Sequence, residues 1–331
     1  MSSSNSTDSK IQKRGAITTY FLFPNYSVKV SAASFVLYYR AISDYIVVGH
    51  SVNGQAVGTN FKVGSPADTW TVYLIVTGEF PITLTQRVEL AKLLNSESFT
   101  APNYLEIGKG ATSYNYSQTK NFISSGSRKI VDSTDVTTSK QILYDFRLQD
   151  REDTSIREFG LFNASSGGTM AIRYLLTLNG VSVPITLLKT REYKINIRLE
   201  IKDATPGDAL VTDYALNEIR DSLSGESIGI PTHVEWSDGT SAIVSTDVSL
   251  DGSNKQRNAI ETISSSRPPA PGYKVNWLGI LTSAQLDGVT ISKSGLFTAS
   301  SGDVLFTENK FGGISKTTLF KVQEQTSVTV R

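Results

Sequence analysis

Two glutamates have the best claim to chemistry in this chain. Glu106 and Glu235 each follow a Pro-x-x-[Leu/Val] stretch, beginning at Pro102 and Pro231, and each precedes a glycine, Gly110 or Gly239, by the same interval. A pair of carboxylates is all that glycan hydrolysis needs. Neither glutamate has a partner carboxylate at matching spacing, so each reads first as a polar strand residue or an acceptor for a nearby backbone amide. Histidine supplies most general bases, and the chain has two, His50 and His233, with Tyr104 standing where His233 would recur. The Asp-rich stretches Asp203…Asp208, Asp238-Gly239 and Asp251-Gly252 could offer oxygens to calcium, but they lack the EF-hand register and read as turns. There is no cysteine, and no G-x-S-x-G, P-loop, G-x-G-x-x-G or H-E-x-x-H spacing. No catalytic, cofactor-binding or metal residue is therefore expected, and the chain reads as a non-enzyme.

The elements around these residues come twice. Gly160-Leu161-Phe162-Asn163-Ala164-Ser165-Ser166-Gly167 returns as Gly295-Leu296-Phe297-Thr298-Ala299-Ser300-Ser301-Gly302, seven identities in eight positions. In the same order, Leu90 and Leu94 match Ile219 and Leu223, and Leu105-Glu106 matches Val234-Glu235. Asn179-Gly180 matches Gly312-Gly313, and Ile195-x-Ile197-Arg198 matches Val328-x-Val330-Arg331. Ordered matches over such a distance indicate duplication. The expected fold is mainly β: an N-terminal β domain, then two tandem homologous modules, each a helix plus an antiparallel β-sandwich or meander. The divisions are a polar arm over 1–15, flexible or docked on a neighbour, a β domain over 16–80, module A over 83–202 and module B over 211–331.

Periodicity supports those elements. Leu90, Leu93 and Leu94 form an apolar helical stripe, as do Leu216, Ile219 and Leu223, with Thr212 a candidate N-cap and Gly225 a candidate C-terminal stop. Strands are expected at Phe35–Tyr39, Tyr45–Val48 and Trp70–Val76, and again at 156–162, where Gly160 in mid-strand points to a bulge or a close backbone approach. Ile195, Ile197 and Leu199 should face inward. Trp236 and Trp277, opposite Ile107 and Tyr144 in the repeat, are expected in the core.

Bulk properties narrow the partners. The formal net charge of +1, with no Lys/Arg run, gives no field for nucleic acid. No segment approaches the ~18 apolar residues of a membrane helix, and the polar start lacks the apolar segment of a signal peptide.

The segment Ile156-Arg157-Glu158-Phe159-Gly160-Leu161-Phe162-Asn163 resembles a hairpin of tailed-phage tail-collar and tail-fibre proteins. Residues 216–240, a helix ending in Leu223-Ser224-Gly225 followed by Pro231-Thr-His-Val-Glu-Trp-Ser-Asp-Gly-Thr240, resemble a module recurrent in phage tail or virion proteins. Lys293 and Ser294 depart from the pattern, which would have a glutamate and an apolar residue. The resemblance covers about 83–331. It implies a non-enzymatic virion structural protein of a tail, baseplate, collar or fibre-attachment region, made in the host cytoplasm. Its partners would be other copies of itself and neighbouring virion proteins, with neither nucleic acid nor membrane. The free edge Ser327–Arg331 and the arm 1–15 would make those contacts. Alternatives are a receptor- or glycan-binding module of a tail fibre, with Tyr104, Tyr114 and Tyr116 stacking on a host surface glycan, and a head fibre or decoration protein.

Overall fold

The computed structural model describes all residues except 1–11, 15–16, 42–49, 53–54, 58–69, 112–127, 149–153, 179–180, 183, 189–190, 267–272 and 303. Most of the expected arm, the strand Tyr45–Val48, Tyr114, Tyr116 and the Asn179-Gly180 turn lie outside the described residues.

The fold is mainly β, and one large sheet dominates it. Its spine is Asn25–Ala41, which pairs antiparallel with Arg191–Asp203. The other edge of the spine is shared: Asn25–Val28 runs parallel to Ser327–Val330, and Thr71–Pro81 pairs with the remainder. Gln141–Leu148 and Ser133–Asp135 extend the sheet beyond Arg191–Asp203. Tyr273–Leu281 and Thr262–Ser266 extend it beyond Phe320–Val330. Alternation explains the buried face: Tyr193, Ile195, Ile197, Leu199 and Ile201 point inward at every second position of one strand.

This sheet corrects one expectation. Ser327–Val330 is not a free edge, because it lies between Asn25–Val28 and Tyr273–Lys274-Val275-Asn276 within its own chain. Gln12–Arg14, the described part of the arm, pairs antiparallel with Ile17–Thr19 of the same chain. The backbone groups of Ser327–Val330 are thus satisfied within the chain, while Gln12–Arg14 is an edge strand among the described residues.

Two smaller sheets carry the repeated hairpins. One is ordered Met170–Leu175, Glu158–Phe162, Tyr104–Gly108, Lys129–Ile130. The other is ordered Ala209–Val211, Leu305–Ser315, Thr290–Phe297, His233–Ser237, Lys255–Ala259. Both hairpins carry a register shift at the same place, between Leu161 and Phe162 and between Leu296 and Phe297. The mid-strand Gly295 answers a close approach: a Cβ there would stand 2.5 Å from the Thr307 carbonyl oxygen. Gly312-Gly313, matched in sequence to a turn, instead lies inside the strand Leu305–Ser315.

The ladders also shift one sequence match. Asp132 N donates to Asp145 O as Glu261 N donates to Leu278 O, so Tyr144 and Trp277 hold matching places. Tyr144 stands opposite Ile197, and Trp277 opposite Thr326. Ile197 therefore matches Thr326, four residues from the Val330 that sequence comparison assigned to it.

The helices are α1 (Leu84–Leu94) and α2 (Asp213–Ser224). Each begins alike. The Thr83 hydroxyl accepts from Gln86 N and donates to Met170 O, and the Thr212 hydroxyl accepts from Ala215 N and donates to Leu305 O. Gly225 closes α2 at φ 95°, a left-handed conformation that glycine adopts without steric cost. Each helix then crosses over. α1 lies on Tyr273–Leu281 and Phe320–Val330, while α2 lies on Gln141–Leu148 and Arg191–Asp203. Tyr144 Oη donates to Leu223 O at 2.7 Å, and Lys140 Nζ reaches Asp213 at 2.9 Å.

Candidate functional site

Glu106 and Glu235 sit on interior strands of the two small sheets, Tyr104–Gly108 and His233–Ser237. Each is held by an arginine. Arg128 Nε lies 2.8 Å from Glu106 Oε2, and Arg257 Nε lies 2.8 Å from Glu235 Oε2. In both places the arginine follows its glutamate by 22 positions. The guanidinium then covers the aromatic ring of the hairpin, Arg128 over Phe162 and Arg257 over Phe297, each 3.6 Å from the ring centroid. It also donates into the turn, from Arg128 to Ala164 O and Gly167 O, and from Arg257 to Ala299 O and Gly302 O. Glutamate, arginine and phenylalanine form a clamp that fixes the hairpin tip. Ser165, Ser166, Ser300 and Ser301 remain exposed at the two tips.

Behind each clamp lies a buried ion pair of reversed sense. In the first hairpin Glu158 accepts from Arg173 Nε at 2.6 Å and from Gly110 N at 2.6 Å, with both charged side chains fully buried. In the second, Lys293 takes the place of Glu158 and Glu308 that of Arg173, 2.7 Å apart and equally buried. The sequence separation is 15 in both. Lys293 Nζ also lies 2.6 Å from Asp251 Oδ1. Burial alone would raise the Asp251 carboxyl, but the Lys293 ammonium and the Ser241 N–H hold it well below the usual carboxylate range. Burial pushes the Glu308 carboxyl up, against the opposing pull of Lys293.

The remaining candidates are dispersed. Among the described residues no group of three His, Cys, Asp or Glu is placed to hold a metal. Asp238 spends its oxygens on Asn254 N and Nδ2, and Asp203 caps Thr205 N. His233 Nδ1 lies 2.8 Å from the Thr232 hydroxyl, and burial, then Arg257, lowers the pKa of its ring. His50 lies in a short ladder between His50–Val52 and Gln55–Val57, and its side chain is outside the described residues. Tyr104, at the strand position matching His233, is half-buried. Trp236 and Trp277 are fully buried, as expected of core residues.

Sequence reading missed Arg128, Arg257 and the Lys293–Glu308–Asp251 set. The repeated 22-residue interval from glutamate to arginine and the reversed charges 15 residues apart were the available signals. Glu324 was also missed. It is fully buried and accepts from the Ser294 and Thr326 hydroxyls, and burial pushes its carboxyl up to about 7. No protein-family model, curated protein or solved structure matches this chain.

Proposed function

We propose that the protein is a non-enzymatic structural subunit of a tailed virus, built from a duplicated module and assembled in several copies in a tail, baseplate or collar. The observation that carries this reading is the pair of hairpin tips. One surface feature, with nearly the same sequence, is held twice by the same glutamate–arginine–phenylalanine clamp. Two rigid copies of one feature suit repeated contacts with like neighbours. The shared bulge and shared threonine caps favour duplication as the origin of residues 83–202 and 211–331. The glutamates favour a structural role over a hydrolytic one, since each is engaged by an arginine rather than facing a second carboxylate across a cleft.

Assembly contacts would fall on the hairpin tips rather than on the C-terminal strand, which is paired within the chain. Light scattering coupled to size exclusion, with negative-stain images of the same peak, tests the reading. A closed ring, a trimer or a growing tube is expected. A monomer at every concentration would overturn it and favour the glycan-binding alternative, which polysaccharide-binding screens then address.

A further inference from the structure

Lys293, Asp251 and Glu308 lie together for reasons that an ion pair alone does not require. Lys293 is on Thr290–Phe297 and Glu308 on the neighbouring Leu305–Ser315, while Asp251 comes from the loop between Ser237 and Lys255. Two glycines press that loop inward. A Cβ on Gly239 would stand 2.2 Å from Asp251 Oδ1, and one on Gly252, at φ 105°, would stand 2.4 Å from Asp238 Oδ1. The ammonium is thereby fixed within 2.6 Å of one carboxylate and 2.7 Å of another, with the lysine side chain 1% exposed. The Glu308 carboxyl is buried, with Lys293 on one side and the Asp247 carboxyl beside it. Asp251 Oδ2 accepts from two backbone amides, Thr240 N at 3.1 Å and Ser241 N at 3.0 Å.

We propose that Lys293 and Asp251 condense spontaneously into a side-chain amide, Nζ bonded to Cγ, with Glu308 carrying the protons. Glu308 takes a proton from the Lys293 ammonium and passes it to Asp251 Oδ1. The neutral amine then attacks Cγ. The tetrahedral oxyanion forms on Oδ2, where the Thr240 and Ser241 amides already point. Glu308 removes a second proton from nitrogen and delivers it to Oδ1, which leaves as water. The sum is one ammonium and one carboxylate giving one amide and one water, with Glu308 restored and no oxidant or cofactor consumed. Fixed contact between the reacting groups supplies the rate that free lysine and aspartate lack. Burial of the lysine disfavours its charged form, but Asp251 and Glu308 together hold its pKa above the ordinary value, so the attack waits on Glu308 taking the proton. The first hairpin cannot follow this course, because Glu158 stands at the position of Lys293 and the cation of its pair, Arg173, is a guanidinium and no amine.

Intact mass measurement of the full chain under denaturing conditions tests the proposal. The wild type is expected to be lighter than its sequence by one water. Tryptic digestion should join the peptide ending at Lys255 to one running through an uncleaved Lys293. Glu308→Gln should restore the full mass, and Asp251→Asn should lose one ammonia in place of water. Full wild-type mass after prolonged incubation would overturn the proposal, whatever the variants do. Loss of water without joined peptides would overturn it equally, as that is the mark of a succinimide at an Asp-Gly step. Undiminished cross-linking in Glu308→Gln would remove Glu308 from the mechanism.

Discussion

The two small sheets share a backbone plan and differ in what fills the space behind it. Behind the first hairpin stand Phe159, Ile107, Ile172, Ile195 and Phe146, all buried. At the corresponding ladder positions behind the second stand Ser294, Trp236, Thr307, Glu324 and Gly279. The exchange keeps neither chemistry nor volume: only Trp236 is larger than its counterpart, and Ser294, Thr307, Glu324 and Gly279 are all smaller. Trp236 grows where Ile107 was, and Gly279 shrinks where Phe146 was, so closely that a Cβ on Gly279 would meet Val234 Cγ2 at 2.7 Å. Ser294 then vacates the space of a phenylalanine and donates to Glu324. A close-packed interior answers such a loss by drawing its surroundings inward, as Val234 stands against Gly279. It tolerates polar groups when they find partners. The second region carries a buried carboxylate, Glu324, where the first buries Ile195, and an ion pair of opposite sense where the first buries Glu158 and Arg173.

The sharpest way to break the comparison is at the ion pairs. Arg173→Met leaves Glu158 charged, buried and short of its cation, and should cost about 3–5 kcal/mol in urea denaturation. Adding Glu158→Lys with Arg173→Glu, which imports the sense of the second hairpin, should recover only part of the loss. The Gly110 N–H that Glu158 accepts would then face an ammonium. Full recovery would show that the two environments are interchangeable.

A smaller effect should distinguish the regions by pH. The Glu324 carboxyl is raised by burial to about 7 from an ordinary value of 4.5, with Trp236, Ser294 and Thr326 beside it and Tyr26 and Glu308 close by. A raised carboxyl contributes stability in full below the unfolded value, and that contribution is lost as pH rises through the folded one. Stability should therefore fall between pH 4.5 and about 7. Glu324→Gln keeps an acceptor for both hydroxyls and should remove its share of that slope, gaining on the order of 3 kcal/mol at pH 8 in thermal or urea melts. The share of Glu308, whose buried carboxyl is also raised to about 7, should remain. An unchanged slope would mean that Glu324 is solvated or paired in solution. The matching Ile195→Leu should leave the pH profile alone.

The smallest effect should be the same in both regions. Arg128→Ala and Arg257→Ala each remove a charge-assisted clamp and should each cost about 2 kcal/mol. Amide exchange should quicken at Ala164–Gly167 in the first variant and at Ala299–Gly302 in the second. Unequal costs would mean that the clamps, despite like geometry, bear unlike loads.

These contrasts also show what could be read from the chain. The hairpins, both helices, the Thr212 and Gly225 caps and the buried tryptophans follow from local pattern, which short-range sterics and burial enforce. The four-residue displacement at the C-terminal strand was hidden because side chains alternate with a period of two. A shift of four keeps every inward residue inward. Gly312-Gly313 misled because glycine also serves a crowded strand, where a Cβ on Gly313 would meet Thr290 Cγ2 at 2.7 Å. The crossing of the helices had no local signature, since it depends on surfaces far apart in sequence. The clamp was half legible: the glutamates stood out, while their arginines needed the repeated interval to be noticed.

The parallel pairing of Asn25–Val28 with Ser327–Val330 bears on how the protein comes into being. Asn25 and Ser327 also share a hydrogen bond across 302 positions. A ribosome emits the spine long before the strand that completes it, so the nascent chain waits with an open β edge through nearly the whole of synthesis. Such edges recruit other strands, and closure over so long a loop is slow. Cells making this protein in quantity would be expected to shelter that early edge with chaperones, and prematurely terminated chains should be the species that aggregate.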